Sequence, residues 1–275
     1  MPELAEVEIA ARNLRAWALG RRIERAEAEP SAAYVFRPGT PKRFTAQITG
    51  HRVESVRRIG KQLLWTLRGD DGPLGLLAHL GMTGKWLRRE KGQPAPEYGK
   101  ARLHLDDGHV LHFRDPRLFG RLRLVPGARF EEVDELKELG PDPLEAGIDP
   151  ARLGAALARR RAPVKVAIMD QGILPGVGNI LASESCFRAG IDPRRPAATL
   201  GGVEVARLAQ SVLEAVHDAI TRQEGPEIAY VEEGGENPFL VYAREGERCP
   251  RCKRADLRRL VQAQRSTFYC PRCQK

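Results

Sequence analysis

Long apolar runs are missing from this 275-residue sequence. No stretch approaches the roughly 20 apolar residues that a membrane-spanning helix needs, which argues against an integral membrane protein. The N-terminal segment lacks the order of a signal peptide, in which a basic region precedes an apolar one. Internal repeats and low-complexity segments are also missing. We therefore predict a cytoplasmic, monomeric protein that is long enough for two modest domains or one large one.

Cysteine and aromatic residues are scarce. The sequence has only five cysteines, which in a chain of predicted intracellular location argues against a disulfide framework. Phe, Trp and Tyr make up 6% of the residues, and few of them lie beside basic runs. Because proteins that bind single-stranded RNA stack its bases on aromatic rings, this scarcity disfavours an RNA-binding function.

Positive charge is what the sequence has in excess. The formal net charge is +9, which favours a polyanionic partner, with nucleic acid ahead of a membrane surface. Residues 246–275 contain nine Lys or Arg against two acids, whereas residues 131–150 contain eight acids against one Lys. This distribution predicts a basic binding module at the C-terminal end and an acidic connector between domains.

The N-terminal half has the pattern of a helix followed by strands. Apolar residues recur at three- and four-residue spacing over residues 3–18, which predicts an amphipathic helix. Asp-Asp-Gly turns at 70–72 and 106–108 predict an antiparallel sandwich or barrel. From Arg22 to about Val125 the pattern is β-like, with short runs at 52–57, 62–67, 74–80, 101–105, 110–114 and 121–125.

The C-terminal half is predicted to be helical. In the connector, Gly140-Pro141-Asp142-Pro143 forbids a continuous helix. A Gly-rich linker over residues 171–179 ends at Asn179, which we predict to cap the helix that follows. A glycine-containing loop follows the helices at residues 232–238. The helical patterns cover residues 150–159, 164–170, 180–188 and about 202–222.

The basic tail carries a metal-binding pattern. Cys249-Pro-Arg-Cys252 and Cys270-Pro-Arg-Cys273 are two C-x₂-C pairs separated by 17 residues. Zinc takes four soft ligands in a tetrahedron, so we predict one structural Zn²⁺, closed to further ligands. The alternative, a redox-active C-x-x-C pair, lacks a surrounding βαβ pattern. The metal would hold a hairpin whose turn region includes Gln264-Arg265-Ser266.

The first residues suggest a reactive amine. Removal of Met1, which is usual before a small residue, would expose the secondary amine of Pro2, and an α-amino group has a pKa near ~8. Such an amine can attack a sugar aldehyde carbon and form an iminium ion. Glu3 and Glu6 could serve that chemistry. They equally fit a plain helix start, with Pro in the first turn and acids at the positive end of the helix dipole.

Five motifs follow one another along this sequence in the same order as in one known family. They are Pro2-Glu3-Leu4-Ala5-Glu6-Val7-Glu8, His79-Leu80-Gly81-Met82-Thr83-Gly84, Asp115-Pro116-Arg117-Leu118-Phe119-Gly120, Gly176-Val177-Gly178-Asn179-Ile180 and the cysteine pairs. Over essentially its whole length the chain resembles the formamidopyrimidine-DNA glycosylase/endonuclease VIII family of bifunctional base-excision repair enzymes.

The resemblance implies an α+β architecture. An N-terminal antiparallel β-sandwich with flanking helix would cover residues 1–130 and carry catalysis. The acidic connector would be 131–150, a helix–two-turn–helix DNA-binding domain 151–245, and a Cys₄ zinc finger 246–275. Double-stranded DNA containing damaged bases would lie in the cleft between the domains.

The resemblance also assigns catalytic roles. Pro2 would attack C1′ of the damaged nucleotide and displace the base. Glu3 would protonate the sugar ring oxygen and later move protons during strand cleavage, as general acid–base catalysis requires. Lys61 would contact a phosphate and position the sugar, and Glu6 would support the active site. Taken alone, Lys61 is typical of a lysine that snorkels at a strand end.

The same resemblance predicts the DNA-binding residues. Because chemistry on a base requires its removal from the stack, side chains must fill the gap that it leaves. Met82, Arg117 and Phe119 match the family's gap-filling residues. Each also fits a plain structural role, as a core Met, a turn arginine and a core Phe. The remaining predicted DNA contacts are His79, Lys165, Asn179 and Arg265.

The sequence departs from the family pattern at three places, of which the short segment 232–242 bears on the substrate. Ala5 stands where most relatives have Pro, Leu118 where many have Arg, and the segment 232–242 is shorter than the capping loop of relatives that bind 8-oxoguanine. The expected reaction is excision of oxidised or ring-opened purines, formamidopyrimidines above all, followed by strand nicking through β/δ-elimination. Oxidised pyrimidines are the alternative substrate.

A function of another class is a damaged-DNA-binding zinc-finger protein without catalysis. It would account for the positive charge, the cysteine pairs and the predicted DNA contacts. It gives no reason for Pro2, Glu3 and Lys61 to occur together. A covalent adduct after borohydride reduction on lesion-containing DNA separates the two functions, because only an imine can be trapped in this way.

Overall fold

The computed structural model of the protein describes residues 2–228 and 237–275. These residues pack as two compact units. The first unit comprises Pro2 and residues 6–137 and 224–228, and the second comprises residues 3–5, 138–223 and 237–275. Across the described ranges, no helix is long and apolar enough to cross a membrane.

The first unit contains two antiparallel sheets and two helices. The helices are α1 (Leu4–Ala18), which begins in the second unit, and α2 (Pro41–Ile48). The strands are β1 (Ile23–Ala28), β2 (Arg52–Ile59), β3 (Gln62–Gly69), β4 (Gly72–His79), β5 (Lys85–Glu90), β6 (Gly99–Leu105), β7 (His109–Arg114) and β8 (Arg121–Pro126). One sheet has the order β1-β6-β7-β5 and the other β2-β3-β4-β8. The predicted β-sandwich is confirmed.

The sequence explains these sheets locally. Strands β3 and β4 form a hairpin in which Gly69 pairs with Gly72, and the positive φ of +102° at Gly72 suits a glycine. Aromatic rings from both sheets fill the core between them. The Trp65 ring lies 5.4 Å from that of Trp86, which lies 5.2 Å from Phe113, distances typical of packed aromatic pairs.

Helix α2 was not predicted. It lies within the stretch that we expected to be β-like, and a 3₁₀ helix (Pro30–Phe36) precedes it. Its start has a recognisable signal, because Pro41 occupies the first turn and the Thr40 hydroxyl accepts a hydrogen bond from Arg43 N at 3.2 Å. Only Phe44 and Ile48 are buried, so the apolar pattern is too short to show a helical period.

The second unit is helical and ends in a small hairpin. The predicted break in the connector is confirmed: α3 ends at Lys137, and α4 starts at Pro143 with the Asp142 carboxylate as its cap. The elements are α3 (Asp134–Lys137, still in the first unit), α4 (Pro143–Ala146), α5 (Pro150–Leu157), α6 (Val164–Ala167), α7 (Asn179–Ala189), α8 (Gly202–Gln223), β9 (Arg258–Gln262) and β10 (Arg265–Tyr269).

The hairpin β9–β10 has its turn one residue earlier than expected. Ala263 and Gln264 both have positive φ, +47° and +60°, as a two-residue hairpin turn requires. Arg265 and Ser266 therefore begin β10, where Arg265 pairs with Gln262. A buried cluster that includes Phe187, Leu257 and Phe268 lies between this hairpin and α7.

Candidate active site and nucleic-acid interface

Glu3 caps a helix that lies far away in the sequence. Its carboxylate accepts hydrogen bonds from the backbone N–H groups of Gly178 (3.1 Å), Ile180 (2.9 Å) and Leu181 (2.9 Å), at the start of α7. A helix N-terminus leaves such donors unpaired and favours a negative charge. Glu3 is only 2% exposed, so these bonds fix its position. Pro2 and Glu6 are buried as well.

The predicted cap of α7 was wrong. Gly178, not Asn179, occupies the cap position, and no cap side chain bonds the helix. Glu3 takes that role from across the sequence, which leaves the Asn179 amide available for other contacts. Asn179 Oδ1 accepts a hydrogen bond from the Lys165 ammonium, and Nδ2 donates to Ser266 O at 2.9 Å. The amide is therefore fixed in one orientation.

Lys165 is not a surface residue. Its side chain has no exposed area, contrary to the expectation that it faces DNA directly. Burial lowers the pKa of Lys165 from 10.5 to about 8, and the nearby Arg265 adds to this effect while Cys186 and Glu3 oppose it. Its observed contact is Asn179 Oδ1, so Lys165 can act on a ligand only through the residue that it orients.

In the linker before α7, the backbone conformation and the packing require a glycine at position 176. Gly176 has φ +89°, and a Cβ there would lie 2.7 Å from the side chain of Leu4. Leu4 N also donates to Gly176 O at 2.9 Å. Gln171 was missed: its amide bonds Gly176 N and Val177 O and so holds the linker together.

Lys61 lies in the turn between β2 and β3, one residue before β3 begins. The turn is held by Arg58, another residue that the sequence did not single out. The Arg58 guanidinium is 2% exposed, donates to Gly60 O at 3.3 Å and pairs with Glu8 at 2.9 Å.

His79 ends β4 with a defined protonation state. Its Nδ1 accepts a hydrogen bond from Gly81 N at 3.0 Å. Burial, then the positive charges of Lys61 and Arg121, lower the pKa of His79 to about 4. The ring is therefore neutral near pH 7, and its proton must lie on Nε2 because Nδ1 is an acceptor. This Nε2–H is a donor suited to a phosphate oxygen.

The three predicted gap-filling residues lie on two loops that contact each other. Met82 is on the first loop, and Arg117 and Phe119 are on the second. The Asp115 carboxylate accepts hydrogen bonds from Arg117 N (3.2 Å) and Gly120 N (2.7 Å), which shapes the second loop. On the first loop, a Cβ at Gly81 would lie 2.5 Å from the Phe119 carbonyl carbon, so only glycine allows this approach. The neighbour of Gly81 is Met82, which is half-buried.

Phe119 and Arg117 are exposed rather than core residues. The Phe119 ring is 49% exposed, which excludes the alternative of a core Phe, and the Arg117 guanidinium carbon lies 5.3 Å from its centroid. Leu118 between them has φ +59°, an unusual value for a side chain with a Cβ. An exposed aromatic ring beside a guanidinium is a surface on which a base can stack.

The four paired cysteines form one cluster. Their Sγ atoms all lie within 4.8 Å of one another, and two of the Sγ···Sγ distances are 3.8 Å. A tetrahedron with Zn–S bonds of ~2.3 Å has S···S distances of about 3.8 Å, so the donor set fits zinc. Arg265 lies on the hairpin beside this cluster, exposed, next to the Ser266 carbonyl that Asn179 contacts.

The segment 232–242, which we compared with a longer loop of relatives, lies partly outside the described residues, which resume at Asn237. The described part is anchored by Glu184, which is 3% exposed. Its carboxylate accepts hydrogen bonds at 2.9 Å from the N–H groups of Leu240, Val241 and Tyr242. Burial raises the pKa of Glu184, while these three hydrogen bonds and the charge of Arg188 lower it.

Three family models match the chain. They are the formamidopyrimidine-DNA glycosylase N-terminal domain over residues 1–122, the formamidopyrimidine-DNA glycosylase H2TH domain over residues 139–228, and a zinc finger found in FPG and IleRS over residues 246–275. The chain is also 39% identical to the formamidopyrimidine-DNA glycosylase of Rhodospirillum centenum, in an alignment that covers 100% of both chains.

Solved structures show the same likeness. The MutM (FPG) protein of Thermus thermophilus has a TM-score of 0.81 and 36% identity, and the match covers 99% of this chain and 98% of that one. The Lactococcus lactis FPG (MutM) bound to FAPY-dG containing DNA has a TM-score of 0.86 and 26% identity, with 99% and 100% covered. The same Lactococcus protein bound to an oxidised pyrimidine containing DNA has a TM-score of 0.86 and 27% identity, with 100% of both chains covered.

Proposed function

The chain belongs to the formamidopyrimidine-DNA glycosylase family and is a DNA glycosylase of base-excision repair, and we propose that it excises ring-opened or oxidised purines and then nicks the strand. The reaction proceeds through a Schiff base at Pro2, followed by β- and δ-elimination. The observation that carries this proposal is the Glu3 carboxylate, which follows Pro2 in the chain and is fixed by three N–H donors of α7.

In the first step the Pro2 nitrogen attacks C1′ of the damaged nucleotide. The bond from C1′ to the base breaks, and the base leaves with the electron pair of that bond. Opening of the sugar ring then gives the iminium ion, and the ring oxygen needs a proton. Glu3 takes up the proton that the attacking Pro2 nitrogen loses and passes it to the ring oxygen. It later removes a proton from C2′ during β-elimination, in which the C3′–O bond breaks and the 3′ phosphate leaves. A carboxyl group that both gives and accepts protons must keep its position between the steps, which favours a fixed side chain.

Base eversion leaves a gap that this chain can fill. Met82 enters the stack as an apolar wedge, Arg117 contacts the orphaned partner base, and Phe119 stacks beside it. The exposure of Phe119 and the contact between its loop and that of Gly81 support this assignment. Lys61 and His79 bind backbone phosphates near the lesion, His79 through its Nε2–H. Asn179 binds them from the helical domain, and Arg265 binds them from the zinc finger.

The domain roles follow from these assignments. Residues 1–130 carry catalysis, 131–150 connect, 151–245 bind DNA through the helix–two-turn–helix, and 246–275 form the zinc finger. Damaged double-stranded DNA is the partner. The Lactococcus relative bound to FAPY-dG containing DNA supports formamidopyrimidines as substrates. Its complex with an oxidised pyrimidine keeps that lesion as a second candidate.

A panel of lesions tests the substrate assignment. Duplexes carrying a formamidopyrimidine, 8-oxoguanine or an oxidised pyrimidine would be compared by single-turnover excision. We expect the formamidopyrimidine to be removed fastest, because Met82, Arg117 and Phe119 resemble the gap-filling set of relatives that act on purine lesions and the segment 232–242 is shorter than the loop of those that bind 8-oxoguanine. Fastest removal of the oxidised pyrimidine would overturn the purine assignment and leave the Schiff-base chemistry intact.

Loss of zinc should remove one group of phosphate contacts. Structural zinc contributes on the order of 10 kcal/mol to small domains, so Cys249→Ser is expected to unfold residues 246–275. DNA affinity should fall, and the slope of log Kd against log salt should decrease by about one for each phosphate that the finger no longer binds. Cys186→Ser is the matched control, because this buried thiol lies outside the cluster and its variant should keep one zinc. An unchanged slope in Cys249→Ser would show that the finger does not touch DNA.

Lys165 should make DNA binding depend on pH. Its pKa of about 8 means that the charge is lost in the folded protein as pH rises from 7 to 9, which weakens the hydrogen bond to Asn179. We expect affinity to fall roughly tenfold over this range, since hydrogen bonds to charged groups contribute about 1.5 kcal/mol or more. Lys165→Met should bind weakly at both pH values, whereas the exposed Lys91→Met should follow the wild type.

The lowered pKa of Lys165 also predicts how its charge affects the stability of the fold. The pKa of Lys165 in the folded protein lies below the ordinary 10.5. Burial of the charged ammonium therefore lowers the stability of the fold by its full amount below pH 8, and this cost disappears as the pH rises towards 10.5. Lys165→Met should therefore unfold at the same or a higher temperature than the wild type at pH 7. A lower unfolding temperature together with unchanged DNA affinity would show that Lys165 serves the fold alone.

A further inference from the structure

Two arginine guanidinium groups lie over the ring of an exposed tyrosine in the first unit. Tyr34, in the 3₁₀ helix before α2, is 45% exposed. The guanidinium carbon of Arg121 lies 3.8 Å from its ring centroid and that of Arg37 lies 4.8 Å from it. Both distances are within the range of cation–π contacts, which hold a guanidinium in a defined orientation.

Arg121 is also a neighbour of the predicted phosphate-binding residues. It opens β8, where it pairs with His79 on β4, and His79 in turn pairs with Gln62 on β3. Lys61 precedes Gln62 in the chain. Adjacent strands are about 4.8 Å apart, so three neighbouring strands bring these basic groups to the same end of one sheet. Lys61 and Arg121 are close enough to His79 to affect its titration.

The charge of this tyrosine–arginine patch (Tyr34, Arg37 and Arg121) is not neutralised within the described part of the chain. No acidic group there lies within ion-pair distance of Arg37 or Arg121. The hydrogen bond of Arg121 runs to the backbone of Gly120, at 2.9 Å, and uses one of five N–H groups. The two guanidinium groups therefore keep donors that an external anion can use.

A second arginine that stacks on a tyrosine provides the comparison. Arg194 lies over Tyr269, with its guanidinium carbon 5.0 Å from the ring centroid, and pairs with Asp192 at 2.6 Å. Its charge is thus compensated inside the protein. Two like charges on one ring repel each other, and a bound anion would remove that repulsion. The planar N–H fork of arginine matches a phosphate group.

We propose that the tyrosine–arginine patch binds a phosphate of the DNA backbone next to the phosphate held by His79, with Tyr34 orienting both guanidinium groups. This inference rests on the proposed function, because it takes His79 and Lys61 to lie against the damaged strand. The patch extends the contact with that strand beyond the everted nucleotide. It reads no sequence, since phosphate contacts position a protein without distinguishing bases.

Binding to a duplex with a tetrahydrofuran abasic analogue tests this inference. We expect the double variant Arg37→Gln/Arg121→Gln to bind roughly tenfold more weakly and its salt slope to decrease by about one. Tyr34→Leu should weaken binding as well, whereas Tyr34→Phe should retain affinity because it keeps the ring. Arg68→Gln is the matched control, since Arg68 is exposed at the opposite end of β3.

Replacement of single phosphates by methylphosphonates locates the contact. One such replacement, beside the phosphate at His79, should weaken the wild type and leave the double variant unaffected. Equal sensitivity of both proteins at every phosphate, or a loss in Arg68→Gln as large as in the double variant, would overturn the inference. The single variant Arg37→Gln is a control for an indirect effect through His79, because Arg37 does not pair with His79 in the sheet. Borohydride trapping by the wild type tests the Schiff base separately, so failure of the patch and failure of the proposed chemistry are distinguishable.

Discussion

Blocking the nitrogen of Pro2 is expected to abolish both imine trapping and strand nicking. A chain with an N-terminal peptide extension has an amide at this nitrogen, and an amide nitrogen has no free electron pair for attack on C1′. The loss should reach at least a thousandfold, about 4 kcal/mol of activation free energy or more, because no other group forms the intermediate. Borohydride trapping and single-turnover cleavage on a lesion-containing duplex measure it.

The matched control is the same protein after a protease has removed the extension and left Pro2 as the first residue. It should regain full activity, which excludes damage to the fold. Pro2→Gly, processed to the free glycine, retains a primary amine and should keep part of the lyase activity. Full nicking by the extended chain would show that another residue, for example a lysine, is the nucleophile.

Glu3→Gln is expected to slow base excision by roughly 10²- to 10⁴-fold, the usual contribution of a general acid or base. DNA affinity should change much less, because Glu3 is assigned to proton transfer and not to phosphate binding. The variant also exchanges one acceptor oxygen for an NH₂ group that faces the N–H donors of α7. Some loss of stability, on the order of 1–3 kcal/mol, is therefore expected alongside the kinetic effect.

Glu184→Gln separates these two effects. Glu184 is also buried and also accepts three backbone hydrogen bonds, from Leu240, Val241 and Tyr242. Its variant should lose comparable stability while excising the base at close to the wild-type rate. Equal losses of excision in the two variants, or equal losses of excision and DNA affinity in Glu3→Gln, would contradict the proposed role of Glu3.

The features that the sequence predicted well are those encoded locally. The hairpin turn at Gly72, the break before Pro143 and the cysteine cluster each depend on a few neighbouring residues with special backbone or ligand properties. The long helix α8 was predicted over residues 202–222 and extends over Gly202–Gln223 because its apolar spacing is regular. Short apolar patterns such as that of α2 carry too little information for this.

The features that the sequence missed depend on contacts between distant residues. Nothing near Asn179 indicates that Glu3 caps its helix, since the two lie more than 170 positions apart. The burial of Lys165 and the role of Arg58 in the Lys61 turn likewise arise only once the chain has folded. The family resemblance named Glu3, Asn179, Lys165 and Lys61 as candidate site residues, but it did not indicate which contact each side chain makes.

Mass spectrometry of the borohydride-trapped adduct tests the central claim most directly. The protein would be trapped on a duplex with a formamidopyrimidine, digested, and the peptide that carries the sugar remnant sequenced. We predict a peptide that begins at residue 2, without Met1, with the modification on the Pro2 nitrogen. A modification on Lys61 or another lysine, or on a chain that retains Met1, would contradict the account.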